Sequence, residues 1–406
     1  MDHRQALSGV KVLDFTWAGA GPRATKYLAD HGAEVVKVES ARHPDVVRVS
    51  APYKAGIVDP NASGMFPHFN TSKKGMALDL RHPRGMEVAE RLVQWSDLVV
   101  ENFAPGVLRR LGLGYDRLVE LKPEIIMLSM SIPGQTGPSA GMSGWGHMAS
   151  AVAGHTYMSG WPDRGPVTPG SVVYGDVIVA LVAVFAAIAA LDGRLRTGRG
   201  QYIDIAQLEV MVHLIAPAIL DHLANGRQRT REGNRCEHAA PHGVFRCKGE
   251  ERWCAVAVSR DEEWKSLCGV LGNPEWSKGA RFASLSSRKE NEDELERLVE
   301  EWTVNYSAPE VMAMLQAAGV PAGVVQDAED LIDRCPQLKD RGLFLQLEHP
   351  VMGVCNHPRE PFILSETPGE IRTSPCLGEH NEEVLCRILG MSDREFVELQ
   401  TEGICE

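Results

Sequence analysis

Short apolar runs and amphipathic stretches alternate along the chain from Gly9 to Ser131. The runs GVKVLDFT, EVVKVES, DLVVENF and IIMLSMS are bounded by glycine, proline or charged residues, and they predict buried strands. The stretches PRATKYLADHGA, RGMEVAERLVQWS and YDRLVELKP predict helices, the first with Pro22 in its first turn and Gly32 past its end. This alternation predicts an α/β fold in which helices cover both faces of a parallel sheet.

The pattern changes from about Gln228. GVFRCKGEERWCAVAV predicts two antiparallel strands joined by a polar turn, and DEEWKSLCGVL and DELERLVEEWTV predict short acidic helices. From Leu343 a strand and turn, LFLQLEHPVMG, precede two closing helices that can pack back on the first domain. We therefore expect a large domain of residues 1–225 and 331–406 and a smaller α+β domain of residues 226–330.

The net charge of the chain disfavours some classes of ligand. The 406 residues carry a formal net charge of -12, which disfavours nucleic acid and anionic membrane surfaces as partners. An anionic ligand would need a local basic patch. The segments SKKG and RR supply two, around Lys73 and Lys74 and at Arg109–Arg110. If both lie at the carboxyl-end side of the sheet, where such sheets bind ligands, they can hold phosphates.

The apolar runs and the cysteines indicate a cytoplasmic protein without a membrane span. The N-terminal residues lack the apolar region of a secretory signal, and the longest apolar run, Val177–Leu191, has fifteen residues, fewer than the roughly 20 that cross a bilayer. All nine cysteines lie from Cys236 onward without a CxxC pair. This distribution is typical of reduced thiols.

Two short motifs have competing interpretations. GAGPRA, Gly19–Ala24, followed by Glu39 at the end of the next strand, formally fits a dinucleotide-binding fingerprint. Pro22 removes a donor from the helix start, which favours the other interpretation, a tight strand-to-helix turn. CEHAAPHGVFRC, Cys236–Cys247, gathers two cysteines and two histidines at a spacing foreign to the usual zinc sites. We expect no metal there.

Asp176 stands at the head of the longest apolar run. An aspartate before an apolar helix is a favoured cap, so a purely structural role is one interpretation. A carboxylate held ionised by the helix start and shielded from water can also attack an activated acyl group. The residues alone leave both roles open.

Several long segments resemble the class III CoA-transferase family, the relatives of formyl-CoA and carnitine CoA-transferases. They include LSGVKVLDFTWAGAGPRATKYLADHGAEVVKVE, VVENFAPGVLRRLGLGY and GDVIVALVAVFAAIAALDGRLRTGRGQYIDIAQLE, in the order of the family. The resemblance implies a Rossmann-like large domain built from both termini, a small domain, and two interlocked protomers. The second protomer is an identical chain or a homologous subunit. CoA thioesters are then substrates, with no permanently bound cofactor.

The resemblance also implies a chemistry and a site. Asp176 attacks the donor thioester to form an acyl-aspartyl anhydride, CoA returns to form an aspartyl-CoA thioester, and an acceptor acid takes the CoA. Main-chain N–H groups at Gly175 and the Asp176 helix start hold the developing oxyanions, and Trp145 lies beside the pocket. The implied CoA contacts are Ala18, Gly19, Arg42, Lys73 or Lys74, Asn102, Phe103 and Arg110.

The α-methylacyl-CoA racemases of the same superfamily are the main alternative. Their catalytic histidine and glutamate fall on Trp145 and Arg260, which favours transfer over proton exchange. NRCEHAAPHGVF and WCAVAVSRDEEW, together with Trp145, resemble the branch that acts on dicarboxylic and aromatic acids, such as the benzylsuccinate CoA-transferases. The expected donor is succinyl-CoA and the expected acceptor is a bulky succinate derivative such as (R)-benzylsuccinate.

Overall fold

Six parallel strands form the main sheet of the larger unit. The computed structural model describes residues 5–168 and 173–405. The strands are β1 (Lys11–Asp14), β2 (Glu34–Glu39), β3 (Lys74–Ala77), β4 (Leu98–Glu101), β5 (Ile126–Ser131) and β6 (Tyr202–Ala206). Their order is β3-β2-β1-β4-β5-β6, and all neighbours are parallel. The predicted α/β fold with a parallel sheet is confirmed, and the order reverses between β1 and β4.

Helices lie on both faces of this sheet. They are α1 (Ala20–Asp30), α2 (Met65–Asn70), α3 (Pro83–Trp95), α4 (Val107–Arg110), α5 (Tyr115–Leu121), α6 (Gly146–Val152), α7 (His155–Met158), α8 (Tyr174–Thr197), α9 (Gln207–Leu214) and α10 (Ala216–Asn225), with 3₁₀ turns at Val46–Val49 and Lys54–Gly56. On one face Leu92 of α3 and Leu118 of α5 join Val99 in a buried cluster. On the other, Leu28 of α1 and Ala183 of α8 join a second cluster. The sheet is therefore buried on both faces, as parallel sheets require.

The smaller unit consists of residues 157–167 and 229–340. An antiparallel sheet of order β7-β8-β9 is formed by β7 (His242–Arg246), β8 (Trp253–Ala257) and β9 (Ala322–Val324). Its helices are α11 (Asp261–Val270), α12 (Leu285–Glu290), α13 (Glu292–Thr303), α14 (Ala308–Ala317) and α15 (Pro336–Asp340), with 3₁₀ turns at Glu275–Lys278 and Ala280–Phe282 and a π-helical turn at Asp330–Arg334. Phe245, Trp264 and Leu315 are among the residues of its core.

The boundaries of the smaller unit differ from those expected. Residues 157–167, which we expected in the large domain, belong to it, and it extends to Asp340 rather than 330. The amide of Gly233 donates to the carbonyl of Gly160 at 2.8 Å, and the Arg231 guanidinium donates to the carbonyl of Tyr157 at 2.9 Å. These bonds attach the short segment to residues that follow it by some seventy positions in the chain.

The C-terminal part of the chain returns to the larger unit. It forms a hairpin of β10 (Phe344–His349) and β11 (Gly353–Pro358), a π-helical turn at Glu383–Ile388 and α16 (Asp393–Thr401). Val384 and Leu399 are buried in the same cluster as Leu92 of α3. The larger unit is thus built from both ends of the described chain.

Helix α8 is much longer than the apolar run that predicted it. At 24 residues it is the one helix of the described ranges with the length and composition to cross a membrane, so the argument from run length is wrong. A core helix passes the same test, and four alanines of α8, Ala180, Ala183, Ala187 and Ala190, are buried in the cluster on this face of the sheet. Its other side exposes large apolar residues, among them Phe185 and Leu195, which are 75% and 84% exposed.

Candidate active site

A cavity of about 230 Å³ lies at the carboxyl edge of the main sheet, where β1 and β4 are neighbours. Its walls are the loops after β1, β4 and β5 and the first turns of α6, α8 and α9. The lining residues are Trp17, Ala18, Gly19, Ala20, Val46, Asn102, Phe103, Met130, Ser131, Ile132, Gly144, Trp145, Gly146, Asp176, Val179 and Gln207. Open parallel sheets bind ligands at such a reversal of strand order.

Asp176 is the third residue of α8 and faces this cavity. The N-cap position is Val173, and no side chain caps the helix, so the interpretation of Asp176 as only a cap is wrong. The Asp176 amide donates to the Val173 carbonyl at 3.0 Å, so it is not free to hold an oxyanion as expected. The side-chain Oδ1 instead accepts a hydrogen bond of 2.5 Å from Nε2 of Gln207.

Three glycines allow the main chain to close around the Asp176 carboxylate. A Cβ at Gly146 would lie 2.5 Å from Oδ1 of Asp176, and a Cβ at Gly19 would lie 2.8 Å from Oδ2. A Cβ at Gly175 would lie 3.1 Å from Nε2 of Gln207. A side chain at any of these positions would displace the carboxylate or its partner, which fixes the orientation of the carboxylate in the cavity.

Burial dominates the electrostatics of Asp176. Loss of solvent raises the pKa of this carboxyl, and the Gln207 hydrogen bond and the nearby His147 and Arg23 side chains oppose the rise without reversing it. Within the described ranges the carboxylate accepts a side-chain hydrogen bond from Gln207 alone. A desolvated carboxylate without a paired cation keeps its charge available for attack on an acyl carbon.

The loop after β1 is held from below by a buried ion pair. Asp14, at the end of β1, accepts hydrogen bonds from the Thr16 amide at 2.8 Å, the Thr25 hydroxyl at 2.6 Å and the Lys73 ammonium at 2.9 Å. Both charged side chains are fully buried. The neighbouring Lys73 charge, with these hydrogen bonds, lowers the pKa of the Asp14 carboxyl despite its burial.

A second buried pair fixes the part of the loop that lines the cavity. Lys37 donates to the Thr16 carbonyl at 2.6 Å and lies 3.1 Å from Oδ2 of Asp45. Oδ1 of Asp45 accepts the Ala18 amide at 2.9 Å. Ala18 has a left-handed backbone, with φ of 63°, which is costly for a residue with a Cβ. The Asp45 contact thus holds the loop in a conformation that local preference disfavours.

Asn102 and Phe103, after β4, connect the cavity to a second one. Oδ1 of Asn102 accepts the Trp17 amide at 2.7 Å and Nδ2 donates to the Trp17 carbonyl at 2.8 Å, while Phe103 packs edge-on against the Trp17 ring. Trp17 and Phe103 also line the second cavity, of about 300 Å³, whose walls are largely apolar. Arg42 lies on the wall of this second cavity, as does Val107 of α4.

The structure brings together most of the predicted site residues. Ala18, Gly19, Asn102, Phe103, Trp145 and Asp176 line one cavity, and Gly175 packs against its wall. The Ala18 amide is already bound to Asp45, so only other groups of this residue face a ligand. Arg42 lines the second cavity, and Arg110 is exposed at the end of α4.

The predictions for the two lysines need correction. Lys73 is fully buried and donates to Asp14, to the Pro22 carbonyl and to Asn70, so its ammonium is not accessible to a phosphate. Lys74 begins β3, at the amino end of the strand rather than the carboxyl end, and pairs with Glu383. The SKKG segment therefore supplies no basic patch at the predicted edge.

The structure also shows the surroundings of the residues behind the dinucleotide and metal interpretations. Glu39, the expected ribose ligand, is buried and forms a 2.8 Å ion pair with Arg48. Over residues 5–168 and 173–405 no three metal-ligating side chains converge. In the segment Cys236–Cys247, which contains two cysteines and two histidines, Cys247 is buried in the core of the smaller unit, and the His242 ring is hydrogen-bonded to the Asn234 carbonyl.

Gln207 is the site residue that the sequence analysis missed. It directly follows β6 and is 6% exposed, with its amide in the cavity. The general rule that polar residues at the carboxyl ends of parallel strands face a ligand would have identified it, had β6 been predicted.

Comparisons with known proteins show the family of the chain. The sequence model of CoA-transferase family III matches residues 7–381. The chain is 33% identical over 399 residues to the succinyl-CoA–D-citramalate CoA-transferase of Chloroflexus aurantiacus, with 98% of each chain covered. It is also 33% identical over 405 residues to the beta subunit of the succinyl-CoA–L-malate CoA-transferase of the same organism, again with 98% of each covered.

A solved structure shows the same architecture over the whole chain. The crystal structure of a CAIB/BAIF family protein from Brucella suis superposes with a TM-score of 0.87 at 31% identity, covering 95% of this chain and 100% of the other. The family match, the named relatives and this structural likeness therefore agree. The chain belongs to CoA-transferase family III and is an enzyme of that class, whose substrates are CoA thioesters.

Proposed function

We propose that this enzyme transfers CoA from succinyl-CoA to a second dicarboxylic acid through covalent intermediates on Asp176. The observation that carries the proposal is a partly buried carboxylate, paired with no described lysine or arginine, at the carboxyl edge of the sheet. Relatives named for succinyl-CoA with citramalate, malate or glutarate support the donor and the class of acceptor.

The covalent steps of this chemistry involve only the two substrates and Asp176. The carboxylate attacks the succinyl carbonyl, the C–S bond breaks, and CoA leaves as the thiolate. The thiolate then attacks the aspartyl carbonyl of the resulting anhydride and releases succinate, which leaves an aspartyl-CoA thioester. The acceptor carboxylate displaces CoA to give a second anhydride, and the thiolate finally attacks the acceptor carbonyl and frees Asp176.

The residues around the two cavities suggest how CoA is held. We assign the thioester end to the first cavity, beside Gly19 and Asp176, and the more distal part of CoA to the second, past Phe103. Arg42 on the wall of the second cavity and Arg110 at the end of α4 supply positive charge for the phosphates, in place of the buried Lys73.

Trp145 is the basis for the acceptor that we propose. Its side chain is 62% exposed and lines the cavity next to Asp176, where an indole face can stack on an aromatic or branched substituent. The acceptor in this proposal is a substituted succinate, and (R)-benzylsuccinate is its aromatic example.

We also propose a dimer, with an identical chain or a homologous subunit as partner. Large apolar side chains are exposed along α8 and α10, including Phe185, Leu195, Leu220 and Leu223. In this proposal a second protein chain, rather than lipid, covers these exposed side chains, because the malate CoA-transferase relative from Chloroflexus aurantiacus is named as a beta subunit. The nine free cysteines are in keeping with a cytoplasmic location.

Two assays on the purified enzyme test this function. Hydroxylamine added with succinyl-CoA should inactivate the enzyme and leave a hydroxamate on Asp176, whereas hydroxylamine alone should not. A panel of acceptors should show CoA transfer to benzylsuccinate, citramalate or malate in preference to oxalate, formate and carnitine. Preference for oxalate would contradict the acceptor but not the chemistry, and the absence of any Asp176 adduct would contradict both.

The racemase alternative has a separate readout. Proton exchange at the α-carbon would incorporate solvent deuterium into a branched acyl-CoA without any acceptor acid. We expect none, because Trp145 occupies the position of the racemase base, and the Arg260 guanidinium pairs with Glu263 at 2.6 Å. An NAD-dependent alternative predicts a change in NADH fluorescence on mixing, which we do not expect, since Arg48 occupies the Glu39 carboxylate.

A further inference from the structure

Asp176 has two chemical roles in the proposed function, and they make different demands on its surroundings. It is a nucleophile when it attacks an acyl group. It is the electrophile when CoA attacks the first anhydride and when the acceptor attacks the aspartyl-CoA thioester. In these two steps negative charge develops on an oxygen of the aspartate itself, so the site needs a hydrogen-bond donor aimed at that oxygen.

Gln207 supplies such a donor. Its Nε2 lies 2.5 Å from Oδ1 of Asp176, and the residue is buried at the start of α9, directly after β6. The Gly175 main chain packs against the same amide, since a Cβ there would lie 3.1 Å from Nε2. Strand, helix and glycine together hold the amide in place.

The other oxygen of Asp176 has a different environment. Among the described residues Oδ2 accepts no hydrogen bond from a side chain, and it lies beside the main chain of Gly19 in the cavity wall. The two oxygens are therefore inequivalent: Oδ1 is bound, and Oδ2 is available to attack.

We infer that Gln207 is a catalytic residue that holds Oδ1 of Asp176 and stabilises the oxyanion that forms on it, which leaves Oδ2 as the one attacking oxygen. This inference rests on the proposed function. When Oδ2 forms the anhydride, Oδ1 is the aspartyl carbonyl oxygen, still bound to the amide. Attack of the thiolate at Cγ moves an electron pair to Oδ1, and the collapse of this adduct breaks the Cγ–Oδ2 bond.

The fate of the oxygen atoms follows from this assignment. The donor acid leaves with Oδ2, and the acceptor carboxylate replaces that atom with one of its own oxygens when it attacks the thioester. Oδ1 stays on the aspartate through every step. The inference includes that Gln207, by holding Oδ1, keeps the free carboxylate from rotating between turnovers, so that Oδ1 is retained through many turnovers while Oδ2 is exchanged in each.

The test is an isotope experiment with a carboxylate acceptor labelled with ¹⁸O at both oxygens. After many turnovers the peptide that contains Asp176 is isolated, and its heavy oxygens are counted by mass spectrometry. The wild-type enzyme should carry one heavy oxygen in Asp176. Two heavy oxygens in the wild type would overturn the inference, because both oxygens would then have reacted.

Gln207→Met removes the donor at nearly the same length. We expect a loss in kcat of about 10²-fold, the typical effect of one oxyanion donor, and two heavy oxygens in Asp176 as the carboxylate rotates freely. Gln316→Met is the matched control: its amide donates to the Ala322 carbonyl in the smaller unit, and the substitution should leave kcat and the labelling unchanged. A Gln207→Met enzyme with normal kcat and one heavy oxygen would refute the role.

The isotope readout separates this inference from the proposed function. A wild-type enzyme with no heavy oxygen in Asp176 and no hydroxamate would rule out the covalent route and, with it, the role of Gln207. A hydroxamate together with two heavy oxygens would leave the covalent route intact and contradict only the role of Gln207. Because the wild-type result alone decides this point, the test holds even if the Gln207 variant fails to fold.

Discussion

Two aspartates near the carboxyl edge of the main sheet differ in how their charges are stabilised away from solvent. Asp14, after β1, is fully buried and receives a lysine ammonium, two hydroxyls and an amide, which lower its pKa. Asp176, at the start of α8, is partly buried and accepts a hydrogen bond from one amide side chain, and its pKa is raised by the loss of solvent. The first charge is neutralised where it lies, and the second is left without a paired cation.

The difference teaches how to separate a structural charge from a reactive one. A carboxylate that serves the fold has its lone pairs satisfied, since an unsatisfied buried charge is costly. A carboxylate that serves chemistry must keep a lone pair free, and the fold bears the cost of its desolvation. Asp14 supports the loop from below, and Asp176 faces the substrate cavity above it.

The largest expected effect comes from removing the reactive carboxylate. Asp176→Asn should reduce CoA transfer by about 10⁴-fold or more, because an amide does not attack a thioester. Steady-state transfer from succinyl-CoA, with CoA binding measured separately, checks this. Asp192→Asn, on the exposed side of the same helix, should retain full activity. Near-normal transfer by the Asp176 variant would remove the basis of the comparison.

The next largest effect concerns Asp14, whose charge is paired with Lys73. Lys73→Met should lower the free energy of unfolding by about 3–5 kcal/mol, because it leaves Asp14 charged, buried and without its cation. Thermal and denaturant unfolding measure the loss. Lys74→Met removes a half-exposed pair and should cost less than about 1 kcal/mol. A Lys73 variant with unchanged stability but a raised KM for CoA would restore the original assignment of Lys73 as a CoA contact.

The smallest expected effect is a change in stability whose sign distinguishes Asp176 from Asp14. Asp176→Asn should raise the free energy of unfolding at neutral pH by about 0.5–2 kcal/mol, because it removes an unpaired buried charge. The folded-state pKa of Asp176 is raised, so the destabilisation is fully present above that pKa and decreases as the pH falls from it towards the lower pKa of the unfolded chain. Unfolding followed from pH 7 down to about pH 4 should show the difference between variant and wild type shrinking.

The same substitution at Asp14 gives the opposite sign. Its pKa is lowered, so its contribution to stability is present at neutral pH and is lost as the pH falls through the folded-state value. Asp14→Asn should therefore destabilise the protein where Asp176→Asn stabilises it. Equal signs for the two variants would mean that the carboxylates do not differ as the structure indicates.

The pattern along the chain determined the central part of the fold. Strands β1, β2, β4 and β5 are rich in apolar residues and almost entirely buried, because both faces of a central parallel strand are covered. The pattern missed β3 and β6, which are the two edges of the sheet. β6 has three partly or fully exposed residues among its five, so it lacks the apolar run that marks a strand.

Because the sequence pattern did not predict β6, it also did not identify Gln207, which is recognisable as a site residue only because it directly follows that strand. Asp176 was accessible to the sequence as the one carboxylate heading a long apolar run, and the resemblance gave it a role. Its orientation was not accessible, since that depends on Gly19 and Gly146, which are distant in sequence and meet the carboxylate only in the folded chain.

The sequence by itself determined which segments are buried, in which order strands and helices alternate, and where the carboxylate that we propose as reactive stands. It did not determine which charges neutralise each other. Lys73 has the same side chain as Lys74 and lies beside it in the chain, yet one is enclosed with Asp14 and the other lies partly exposed at the amino end of β3. Pairing is a property of distance in space, and only the tertiary structure brings residue 73 to residue 14.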